Sequence, residues 1–243
     1  MKQDKFFLKI DESWEDIVAM DKPSFRSMIL DLIEKCCDLS SFNIIVDGKE
    51  IGPISFVEEF EAPSHTFENH SLREHSIRVL DRCYDQCRFY DFSGVIAFEV
   101  FAILLVLHDI GKNVSFVDKG SKIYQHRYTI QMLKHFMEIY GKQEHILLLS
   151  TLIDMDPLGQ FLKGQRSFDE TKNLIKKAAK KAKFCEVSFF YILKFYYFCD
   201  ASSYDNLKKR IFYDYSDGRM ALHPEHSRKN DFEELTTFFA KAS

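Results

Sequence analysis

Val95-Ile96-Ala97-Phe98-Glu99-Val100-Phe101-Ala102-Ile103-Leu104-Leu105-Val106-Leu107-His108-Asp109-Ile110-Gly111-Lys112 is the stretch whose reading decides the fold. The 13 positions from Val95 to Leu107 are apolar except for Glu99. A membrane-spanning helix needs about 20 apolar residues, so this shorter run with a carboxylate in it predicts a helix buried in a protein core. An imidazole and a carboxylate, His108-Asp109, follow it directly. A charge at the end of a core helix has to be paired or to bind a metal. The dipeptide alone is common, so its meaning depends on what the rest of the chain can bring to it.

Composition agrees with a helical core. The 243 residues are 46% hydrophobic, with 24 Phe and 11 Tyr against only 9 Gly and 5 Pro. That balance favours long helices over a many-turned sandwich. A net charge of −4 supplies no field to recruit nucleic acid or an anionic membrane. The six cysteines contain no CxxC and no zinc or disulfide spacing: Cys36-Cys37 are adjacent, Cys83 and Cys87 lie one helical turn apart, and Cys185 and Cys199 stand alone. With no apolar leader at the N-terminus, a reduced, cytosolic setting is expected. Cys83 and Cys87 read as small apolar residues on a buried helix face.

Upstream, Phe25, Ile29, Leu32, Ile33 and Cys36 recur at helical steps. Asp47-Gly48 between β-branched residues signals a hairpin. A small α+β segment, residues 1–65, is therefore expected before a helical domain, residues 66–243. It is expected to offer no metal ligand. Downstream, helices are expected at about 69–88, 94–108, 123–141, 144–154, 169–183, 186–204 and 231–241. Gly111 and Gly120 are read as bracketing a loop, and Asp156-Pro157-Leu158-Gly159 as a break. The fold class is mainly all-α, a helical bundle.

Two further residues point at the same place as His108-Asp109. His75 shares a helix face with Leu72, Val79 and Cys83, so it faces inward. Asp200 ends an apolar helix and aligns with Leu193, Tyr196 and Tyr197. Singly, each reads as a hydrogen-bonded core residue or a helix cap. Together, two imidazoles and two carboxylates suit Mn, Fe, Mg, Ni or Zn.

The order His75…His108-Asp109…Asp200, with His75-Ser76-Ile77-Arg78-Val79 and Leu107-His108-Asp109-Ile110-Gly111-Lys112, resembles the HD phosphohydrolase superfamily over roughly residues 70–205. The resemblance implies an HD-type helical bundle with a divalent metal held by His75, His108, Asp109 and Asp200. It further implies that a metal-activated water cleaves a phosphomonoester or phosphodiester of a small, nucleotide-like substrate, with Asp109 in the catalytic machinery.

Relatives with two metals carry further histidines. His126 is the candidate here, as a fifth ligand and catalytic group, and Asp154 as a carboxylate substitute. The GYP signature of the cyclic-di-GMP phosphodiesterases is missing, which argues against that substrate. Small HD nucleotidases place an acid where this chain has Lys112. A cation there reads as a catalytic phosphate anchor, or as a solvated loop lysine. Arg127 is a second candidate substrate anchor. Asp154 and Asp156 also read simply as a polar helix end. Lys172, Lys176, Lys177, Lys180, Lys181 and Lys183 form a basic run whose ordinary fate is a solvated helix face. Two other readings stay open: a diiron oxygenase on the same scaffold, and a regulatory module of that fold without catalysis. Substrate, metal identity and oligomeric state leave no signature in the sequence.

Overall fold

A computed structural model describes residues 12–64, 68, 70–154 and 156–241. The chain is mainly all-α, with two small two-stranded sheets. Its elements, in order, are α1 (Trp14–Ala19), α2 (Lys22–Cys37), β1 (Phe42–Val46), β2 (Lys49–Ile54), α3 (Phe56–Glu61), α4 (Leu72–Cys87), α5 (Phe98–Leu107) and α6 (Lys112–Lys119). There follow α7 (Gln125–Ile139), α8 (Ile146–Asp154), α9 (Pro157–Leu162), α10 (Phe168–Lys181), α11 (Glu186–Ser203), α12 (Asp205–Ile211), β3 (Phe212–Asp214), β4 (Met220–Leu222) and α13 (Lys229–Ala240).

Helix α5 lies in the core, and all ten of its residues are buried. Its carboxylate, Glu99, is tied to Lys142 at 2.7 Å, which satisfies the need to pair a buried charge. The span Phe98–Lys119 is long and apolar enough to cross a membrane by length and composition, but 83% of its most apolar 18-residue window is buried inside the fold. The core consumes that apolar surface. Helices α2 and α4 pack against α5, and α11 packs against α4.

The N-terminal segment is keyed into the same core. Trp14 donates its indole N–H to the Ile96 carbonyl at 2.7 Å and meets Phe98 edge to face. The β1–β2 hairpin turns at Asp47 and Gly48, both with positive φ (52° and 78°). Two successive left-handed residues suit the twist of a tight hairpin. Cys83 and Cys87 are buried thiols, as the sequence indicates.

Two expectations are corrected. The segment between Gly111 and Gly120 is helix α6, with the two glycines as its ends. Gly120 adopts φ 65° and closes the helix with its N–H on Phe116 O at 2.8 Å, the ordinary work of a left-handed cap. The break at Asp156–Gly159 is likewise a helix start. Asp156 accepts from Gly159 N–H at 2.8 Å, and Pro157 fills the first turn, where a missing N–H costs nothing.

Candidate metal centre

Local chemistry brings each donor to one point. Ser71 and Glu74 form a reciprocal cap that fixes the start of α4, and one turn later His75 enters the core at 1% exposure. Next to it Ser76 donates to Val106 O at 2.9 Å, which sets α4 against the end of α5. His108 and Asp109 follow the last residue of α5, 3% and 6% exposed. The chain then folds back on itself through Lys112 N–H to Asp109 O at 2.9 Å. Gly111 makes that turn possible. It lies against α7, its N–H donates to Thr129 Oγ1 at 3.0 Å, and a Cβ there would sit 2.3 Å from Thr129 N. Asp200 comes from the last turn of α11.

His75 Nε2 lies 3.2 Å from His108 Nε2, 3.2 Å from Asp109 Oδ2 and 3.3 Å from Asp200 Oδ1. His108 Nε2 lies 3.6 Å from Asp109 Oδ2 and 3.4 Å from Asp200 Oδ1. One donor atom from each of the four residues falls within 4.8 Å of all the others. Nitrogen and oxygen donors at about 2.0–2.2 Å from one ion stand roughly 3.0–3.5 Å from their neighbours, so the observed separations have the right size.

Two details favour a cation over an ordinary buried network. His108 Nδ1 sits 2.8 Å from Leu105 O. A carbonyl only accepts, so Nδ1 carries the proton and a neutral ring turns the lone pair of Nε2 to the cluster, the tautomer a metal requires. The Asp200 side chain is 31% exposed, but its Oδ1 is fully buried and makes no well-formed hydrogen bond. A buried carboxylate oxygen that faces only two imidazole nitrogens, at 3.3 and 3.4 Å, is costly unless a proton or a metal ion lies between them.

In the metal-free protein the imidazoles and carboxylates balance one another. Burial alone would raise both carboxyls. Lys112 with the two histidines holds Asp109 well below the usual carboxylate range, and His108 with His75 holds Asp200 low. Burial alone would lower His108, but Asp109 and Asp200 outweigh it and raise its pKa.

Surrounding side chains fix the donors. Gln125 Nε2 donates to Asp109 Oδ1 at 2.7 Å. The Tyr204 ring stacks on His75 with centroids 4.8 Å apart, and its hydroxyl lies 3.3 Å from Nε2. Tyr196 meets His108 edge to face. Sequence reading missed Gln125 and Tyr204, which lie 16 and 129 residues from their partners and follow no local period.

The other expected residues are placed differently. Lys112 is 5% exposed and ion-paired with Asp109 Oδ2. A solvated loop lysine is therefore excluded, and its ammonium rests on a member of the cluster. His126 lines a cavity of about 140 Å³ beside the four donors, with Gln125, Asp156 and Tyr197, but is not among those donors. Asp154 is engaged by Lys181 at 2.9 Å and lines only the neighbouring cavity. Asp156 lines both. Arg127 is exposed, paired with Asp47 at 2.8 Å, and does not line the cleft. Within the N-terminal segment, Glu50 is held by Asn43 at 2.7 Å; Asp11 and His65 lie outside the described residues. On the basic run, Lys172 pairs with Asp169 and Lys181 with Asp154.

No protein-family model, no curated protein and no solved structure matches this chain. What fold and site define is a mainly helical protein with a buried His/Asp group able to bind a metal ion.

Proposed function

We propose that this chain is a metal-dependent phosphohydrolase of the HD superfamily, acting on a phosphomonoester or phosphodiester of a small, nucleotide-like molecule. The observation that carries the reading is the convergence of His75, His108, Asp109 and Asp200, in that sequence order, on one buried point. These four would hold the ion. Bound there, a divalent metal would supply Lewis-acid stabilisation of phosphoryl oxygens and a water of lowered pKa.

The protein's own groups would prepare the site. Lys112 and Gln125 each engage one oxygen of Asp109, so the carboxylate cannot rotate. Tyr204 and Tyr196 wall the imidazoles from water. The 140 Å³ cavity shares Gln125, His126, Ile153 and Asp156 with a neighbouring cavity of about 420 Å³. A phosphoryl group would enter the smaller space and the remainder of the substrate would lie in the larger one. There Lys122 and Arg166 add positive charge, which suits a phosphorylated ligand. His126, half-buried on the cavity wall, is the group placed to hand a proton to a leaving oxygen.

The test is a panel of 4-nitrophenyl phosphate, bis(4-nitrophenyl) phosphate, nucleoside monophosphates and cyclic nucleotides, run with Mn, Fe, Mg, Ni and Zn. Metal-dependent turnover that falls at least about 100-fold in His126→Ala, as for other groups acting on the transition state, is the expected result. A protein that binds metal yet turns over nothing on the panel would contradict the hydrolase reading and leave a regulatory module or an oxygenase.

A further inference from the structure

Helix α11 has two chemically different faces. Leu193, Tyr196, Tyr197 and Asp200 line the cleft of the metal centre. Tyr191, Lys194 and Phe198, at steps of three and four, form the opposite face and line a separate cavity of about 670 Å³. The far wall of that cavity is α13, through Phe232, and strand β4 with the turn before it. Its size lies within the range of about 300–1,000 Å³ usual for small-molecule sites.

Its wall carries Lys194, which has no counter-ion among the described residues. Lys194 Nζ sits 5.6 Å from the ring centroid of Phe232, 5.8 Å from Phe198 and 5.9 Å from Tyr191. Among the described residues no carboxylate lies within ion-pair distance of it, although Asp91 and Glu233 line the same space. Both acids are already engaged: Asp91 accepts from Ser93 N–H at 3.0 Å, and Glu233 pairs with Lys229 at 3.5 Å. Arg219 adds a further cation, stacked over Tyr215 at 5.0 Å. Ring faces hold an ammonium by their quadrupole, but they do not neutralise it. The hydroxyls on the α13 wall are used within the helix, Thr236 on Phe232 O and Thr237 on Glu233 O. The Lys194 ammonium, held only by ring faces among the described residues, therefore suits an anion carried on an apolar body.

We propose that this cavity is a second ligand site, distinct from the metal centre, and that it takes a small aromatic carboxylate with its ring against the aromatic lining of the cavity and its carboxylate on Lys194 Nζ. Burial lowers the Lys194 pKa to about 8, which agrees with an ammonium poorly solvated by water and available to a ligand anion. An ion pair formed in such surroundings is screened far less than one at the surface.

The experiment is isothermal titration of the full chain with benzoate, 2-naphthoate and 4-biphenylcarboxylate, each compared with its uncharged primary amide. At least one acid is expected to bind saturably at one per chain and at least 10-fold more tightly than its amide. Lys194→Met should abolish that preference, Lys194→Arg should retain it, and metal content should be unchanged in both. The wild-type acid-to-amide comparison stands even if a variant fails to fold. Absence of saturable binding by all three acids, equal affinity for acid and amide, or an undiminished preference in Lys194→Met would overturn the proposal.

Discussion

His75 Nε2 and His108 Nε2 face each other at 3.2 Å, although they come from residues 33 apart, one on α4 and the other just past the end of α5. The His108 ring spends its only neutral-state proton on Leu105 O, so its Nε2 presents a lone pair. Two carboxylate oxygens close the group within 3.6 Å of these nitrogens. Lone pairs and anionic oxygens gathered this closely repel unless protons or a cation lie among them. Lys112 supplies one positive charge from the side of Asp109.

Lys112→Met should destabilise the metal-free protein by on the order of 3 kcal/mol, because it strands a buried carboxylate. With metal bound, the loss should shrink, since the ion takes over the Asp109 charge. Urea unfolding with chelator and with added metal checks this, and an equal loss in the two conditions would count against it. Before folding is considered, Lys112 looks like a residue whose removal costs only turnover; burial at 5% exposure adds a stability cost.

Gly111→Ala should be destabilising by about 1–3 kcal/mol, the usual cost of overpacking. A Cβ there would sit 2.3 Å from Thr129 N and 2.8 Å from Thr129 Oγ1. The turn between α5 and α6 would have to move, carrying Asp109 and Lys112 with it. Metal content should therefore fall along with the melting temperature; a stable variant with full metal content would show that α7 yields instead.

Glu59 provides a pH signature away from the metal. It is 6% exposed with Oε2 unpartnered, and burial pushes its carboxyl up to about 7, although Asn113 donates to Oε1. The folded state then binds this proton more tightly than the unfolded chain, so stability falls as pH rises from about 4.5 to 7 and does not return above it. Glu59→Gln should be nearly neutral at pH 5 and stabilising at pH 8, by on the order of 1–3 kcal/mol. Urea midpoints at the two pH values decide the matter, and identical shifts at both would contradict it.

Arg127→Ala and Asp154→Asn should leave metal content and stability nearly unchanged. Each side chain is spent on a surface pair, with Asp47 and Lys181 respectively, and such pairs are worth about 0–1 kcal/mol. Elemental analysis beside a melting curve checks both at once. Loss of metal in Asp154→Asn would place it at the ion after all.

How much of this was legible depends on the range of the interaction. His75 and Asp200 announce themselves because a 3.6-residue period places them on apolar faces, and burial then follows from the helix. His108-Asp109 is conspicuous because it ends a helix whose every residue is core. The hairpin at Asp47-Gly48 is legible because its two left-handed residues need Asp or Gly types. From sequence helix α6 looks like a loop because its bounding glycines resemble breakers, when they cap it. Lys112 therefore gained a buried role that a loop would not give it. Asp154 and Asp156 are indistinguishable by type, and only the turn into α9 decides which one faces the cleft. Gln125, Tyr204 and the Lys194 cavity depend on packing between distant elements, for which a single chain carries no local pattern.

The central claim is that His75, His108, Asp109 and Asp200 hold one metal ion. The most direct measurement is elemental analysis of protein purified without chelator, alongside His75→Ala, His108→Ala and Asp200→Asn. The account predicts about one equivalent of a divalent transition metal or Mg in the wild type, and at least a 10-fold loss of metal affinity in each variant that folds, as removing a ligand implies. Wild-type protein that neither carries nor takes up a divalent metal, or variants that keep a full equivalent at unchanged affinity, would contradict it.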